Sequence, residues 1–82
     1  MRGNNAEAWD LLVQSLDDKL QFALLERIKR VAAYHLEDTT LIIQPGNADD
    51  FEYLNTTTIL QQLSIFAEAA IGVKEVKLAK NI

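Results

Sequence analysis

The chain has 82 residues, 49% of them apolar, with a formal net charge of -4, one histidine and no cysteine. That length holds one domain, because a core this small buries only roughly 60% of the surface its unfolded form exposes, and the lack of cysteine excludes disulfides and thiolate metal sites. The negative balance argues against general affinity for nucleic acid or anionic membrane, no apolar run approaches the roughly 20 residues that cross a bilayer, and a cytoplasmic location is expected.

Residues 1–5 are polar and are expected to form a disordered lead, with residues 6–82 making the single domain. Trp9, Leu12, Val13 and Leu16 fall at i, i+3, i+4 and i+7, one face of a first helix that Asn4 or Asn5 is placed to cap. Asp17 or Asp18 is an expected N-cap for a second helix with the stripe Leu20, Ala23, Leu24, Ile28 and Val31. Two helices joined so tightly are expected to pack as a hairpin.

The period then shortens. Ala32, Tyr34 and Leu36 alternate with Ala33 and His35, Glu37 to Thr39 supplies a turn, and Thr40 to Gln44 is a second strand ended by Pro45-Gly46. Asp49 and Glu52 have capping-box spacing for a short helix over 50–54. Beyond the β-branched run Thr56 to Thr58, a long helix carries the stripe Ile59, Leu63, Phe66, Ala67 and Ala70, with Gly72 as its C-terminal cap. Val76 and Leu78 share one face of a last strand. The expected fold class is α+β, in the order α-α-β-β-α-β, with a three-stranded sheet covered by helices.

Chemistry is sparse. His35 has Glu37 two residues away but no third ligand in sequence, so a structural or exposed histidine is the stronger reading. With three glycines, no dinucleotide or phosphate loop can be written, and no cofactor or metal is expected. Ser15 and Ser64 have no histidine near them in sequence to activate a nucleophile. Charge is uneven: between Arg30 and Lys74 the chain has no cation and six acids, Glu37, Asp38, Asp49, Asp50, Glu52 and Glu68. Arg27, Lys29 and Arg30 suit the negative pole of a helix end better than a phosphate. Leu11, Phe22, Leu25, Tyr53 and Leu60 lie outside the stripes, and Phe22 with Leu25, at i and i+3, is the first choice for an exposed partner-binding pair. Arg27 beside that pair, and the acidic segment Asp49, Asp50 and Glu52, complete the candidate protein-binding set.

The segments Ala8-Trp9-Asp10-Leu11-Leu12, Leu36-Glu37-Asp38-Thr39-Thr40-Leu41-Ile42-Ile43 and Gly72-Val73-Lys74-Glu75-Val76-Lys77-Leu78 resemble, in kind and order, the C-terminal region of the bacterial DNA polymerase III gamma/tau subunit. They are similar also to the N-terminal domain of the bacterial replication initiator. Phe51 after the second strand and the Val76/Leu78 ending favour the gamma/tau version. This resemblance implies a KH-like fold without catalysis of its own, within a nucleotidyltransferase holoenzyme, that docks the clamp loader onto a polymerase or helicase subunit. The initiator version implies helicase recruitment and self-association. A KH-like nucleic-acid module using Arg27, Lys29, Arg30 and Lys74 is the rival reading, and a homodimer through the last strand is a further one.

Overall fold

Helix α1, Ala6–Asp18, begins where the Asn5 side chain accepts the Ala8 N–H, and it turns Trp9, Leu12 and Leu16 inward. The computed structural model describes all 82 residues, with α2 at Phe22–Lys29, β1 at Ala33–Glu37, β2 at Thr40–Gln44, α3 at Ala48–Leu54, α4 at Thr57–Ile71 and β3 at Glu75–Leu78. The fold is α+β, four helices with a mixed three-stranded sheet of order β1-β2-β3. β1 and β2 form an antiparallel hairpin, and β3 returns parallel to β2 after α3 and α4, as a crossover connection requires.

Register assigns the two sheet faces. Tyr34 lies opposite Ile43, Leu36 opposite Leu41 and Leu41 opposite Val76, so these side chains share one face with Leu78. That face joins the helix stripes in one core with Trp9, Leu12, Leu16, Leu24, Ile28, Leu54, Leu63 and Ala67. The other face carries His35, Glu37, Thr40, Ile42, Glu75 and Lys77 and is more polar. The Asp38 turn takes a positive φ of 53°, and the adjacent Thr39 carbonyl accepts the Lys74 and Glu75 N–H groups, which anchors the start of β3. Gly72, at φ 75°, ends α4 in the left-handed conformation expected of it.

Several local expectations are corrected. Residues 1–5 are not a loose lead: Arg2 pairs with the outer edge of β1, its N–H bonding Ala32 and its carbonyl taking the Tyr34 N–H, while the Asn4 amide both donates to and accepts from the Leu36 backbone. Polar composition concealed this because backbone pairing and amide hydrogen bonds need no apolar side chain. Gly3 lies against the Tyr34 ring, where any side chain would collide. Asp17 and Asp18 close α1 rather than open α2, whose N-cap position is Gln21 with no side-chain capping bond. In α3 the cap is Asn47, which accepts the Asp50 N–H at 2.8 Å, so the helix begins two residues before the expected capping box. Asn and Asp are nearly equivalent caps, and spacing alone does not choose between them.

Leu20, expected in the α2 stripe, lies outside the helix with φ 59° and is 70% exposed. The Gln21 N–H bonds the Leu16 carbonyl and the Leu20 N–H bonds the Asp17 carbonyl, the Schellman pattern, with leucine in the left-handed place that glycine usually takes. The side chain there has a steric cost of roughly 1–2 kcal/mol and little burial to offset it. A Leu20→Gly substitution is therefore expected to raise stability by about 1 kcal/mol, since glycine's greater unfolded-state entropy returns part of the gain. Urea denaturation checks this through a higher midpoint at unchanged slope.

Candidate protein-interaction site

The site expected around Phe22 and Leu25 divides. Phe22, the first residue of α2, is 54% exposed as expected, whereas Leu25 is only 6% exposed and belongs to the core. A helix stripe has two flanks, and periodicity does not say which one its neighbour covers; here the Leu25 flank is covered and Ala23 is left outside. Tyr53 and Leu60 are likewise half-buried against the core, while Leu11 is exposed. The apolar surface at the end of the α1–α2 hairpin is thus Leu20 and Phe22, two residues apart in a turn fixed by two backbone hydrogen bonds.

Asp50 is not a surface acid. It is 3% exposed and takes a two-pronged contact from Arg30, whose Nε donates to Oδ2 at 3.0 Å and whose second guanidinium nitrogen donates to Oδ1 at 2.7 Å. Asn47 Nδ2 donates to the same carboxylate at 3.2 Å. Hydrogen bonding from Arg30 is the main cause holding the Asp50 carboxyl below the ordinary carboxylate range; it outweighs desolvation, and Arg30 itself is pushed up by the same bond. The contact ties the end of α2 to the start of α3.

Arg27 is drawn into the same cluster. Its guanidinium lies 3.9 Å from the centre of the Tyr53 ring, Nη1 donates to the Ala23 carbonyl at 2.9 Å, and Nε approaches Asp50 at 3.8 Å without a hydrogen bond. Arg27 and Arg30 are therefore engaged within the chain. Asp49 and Glu52 remain exposed on α3, without a basic partner. Of the expected set, Phe22, Asp49 and Glu52 are accessible to a partner; Leu25 and Asp50 are structural, and Arg27 braces α2 against Tyr53.

His35 lies 3.5 Å from Glu37 on the more polar sheet face, and no three metal-ligating side chains converge anywhere. A cleft of about 690 Å³ is lined by Pro45, Asn47, Phe51, Glu52 and Lys80 among others, with the Lys80 ammonium 5.7 Å from the centre of the Phe51 ring. The exposed left-handed position of Leu20 leaves no mark in the sequence, because leucine is no marker of such a turn. No helix is long and apolar enough to cross a membrane. Comparison with protein-family models, with curated proteins and with solved structures finds no match to the chain.

Proposed function

We propose that this domain is a non-catalytic docking module of bacterial DNA replication, which binds a polymerase or helicase subunit through the end of its α1–α2 hairpin. The observation that carries the docking reading is the exposure of Leu20 and Phe22 together, with Leu20 held in a left-handed turn where glycine would be less strained. Strain kept at an exposed leucine suits a side chain retained for contact. The replication setting rests on the resemblance of the Trp9, Leu36–Ile43 and Gly72–Leu78 segments to the gamma/tau tail.

Affinity capture from a bacterial lysate, read by mass spectrometry, tests this reading. The chain is expected to retain a replicative polymerase or helicase subunit, and a Phe22→Asp variant is expected to lose it with a melting temperature within ~2 °C of the parent, because Phe22 is largely outside the core. Capture of nucleic acid alone, or equal capture by both proteins, counts against it.

A further inference from the structure

The two edges of the sheet are treated differently. Arg2 pairs with the outer edge of β1, but nothing in the chain pairs with the outer edge of β3. Glu75 donates to the Thr39 carbonyl and Ala79 to the Ile43 carbonyl, so alternate residues of β3 face β2, and the N–H and C=O groups of Val76 and Leu78 face outward. No turn, loop or side-chain hydrogen bond reaches the backbone of either residue. Alongside this edge runs a groove of about 560 Å³ between β3 and the flank of α4, with Val76 and Lys74 on one wall and Leu60, Ser64 and Ile65 on the other. Ile65, 66% exposed, has no core role.

The charges at the edge are unequal. Lys77 is paired with Glu75 at 3.8 Å, whereas Lys74, exposed at the groove's end, has no acidic partner. We infer that the β3–α4 groove receives an extended peptide segment of a partner protein, added to the sheet as a fourth main strand antiparallel to β3, with its C-terminal carboxylate against Lys74. Val76 and Leu78 supply the backbone pairing, and Ile65 and Leu60 meet alternate apolar side chains of the peptide. The antiparallel sense brings the C-terminal end of the peptide to Lys74, at the N-terminal end of β3. This surface is separate from the Leu20–Phe22 corner and stands or falls without it.

The test is a titration of the 15N-labelled chain with a synthetic peptide of alternating valine and threonine that ends in valine with a free carboxylate, beside its C-terminally amidated form, which is expected to bind about fivefold more weakly. The control is the same peptide N-methylated at alternate amides. Expected are shifts confined to β3 and the flank of α4, amide exchange at Val76 and Leu78 slowed about tenfold, and no response to the control. Lys74→Glu is expected to weaken binding about fivefold, and Leu78→Pro to weaken it further by removing an outward N–H from an edge strand, at some loss of the packing that Leu78 makes against the core. Absence of shifts at millimolar peptide, or shifts elsewhere, overturns the inference. So does protection of Val76 without peptide that grows with protein concentration alongside a dimer in sedimentation, since the occupant is then a second copy.

Discussion

Replacing Asp50 with asparagine is expected to lower stability at neutral pH by about 2–3 kcal/mol and the melting temperature by roughly 10–20 °C. The substitution keeps the shape of the side chain but removes the charge that Arg30 grips with two nitrogens. Arg30 is half exposed, so water partly replaces the lost partner and the cost stays below the roughly 3–5 kcal/mol of a fully buried broken pair. The sign of the pH effect follows from the direction of the shift. A carboxyl depressed in the folded state contributes its full stabilisation above its unfolded value of about 4 and loses it as pH falls through the lower folded value. Thermal melts from pH 7 down to pH 2 are therefore expected to show parent and variant converging below about pH 4. A constant gap across that range would mean that the charge is not what holds α2 to α3.

Truncating Trp9 to alanine is expected to cost about 3–5 kcal/mol, a large share of the roughly 5–15 kcal/mol that domains possess. Its ring stacks on Tyr34 at 4.3 Å between centroids and 10° between planes, deep in the core. The loss extends beyond the cavity. Tyr34 also rests on Gly3 and its hydroxyl accepts the Asn5 N–H, so a displaced ring is expected to release residues 2–5 from β1. Denaturation followed by circular dichroism, with amide exchange at Tyr34, checks both effects; Trp9→Phe, which keeps a ring to stack, is expected to restore most of the protection.

Much of this fold was legible because helix and strand periods differ. Trp9, Leu12 and Leu16, the Leu63 and Ala67 stripe, the Pro45-Gly46 stop and the Gly72 cap each mark their element locally. What escaped depends on partners distant in sequence or on main-chain groups. Asp50 reads as an acid at a helix start until Arg30, twenty residues earlier, is brought against it. Leu25 reads as surface until the flank of α2 that is covered is known, and the docking of residues 2–5 rests on backbone pairing that composition does not encode. In the candidate site, Phe22 was legible as an off-stripe aromatic, while Leu20 was hidden by a stripe position it would occupy only if α2 began earlier.

The docking reading meets its most direct test in binding isotherms of the immobilised chain with purified bacterial polymerase III alpha subunit and replicative helicase, run for the parent, Phe22→Asp and Leu20→Asp. The account predicts saturable binding of one of the two that either substitution weakens at least about tenfold while both variants stay folded. Binding of neither protein, or binding that both substitutions leave unchanged, would contradict it.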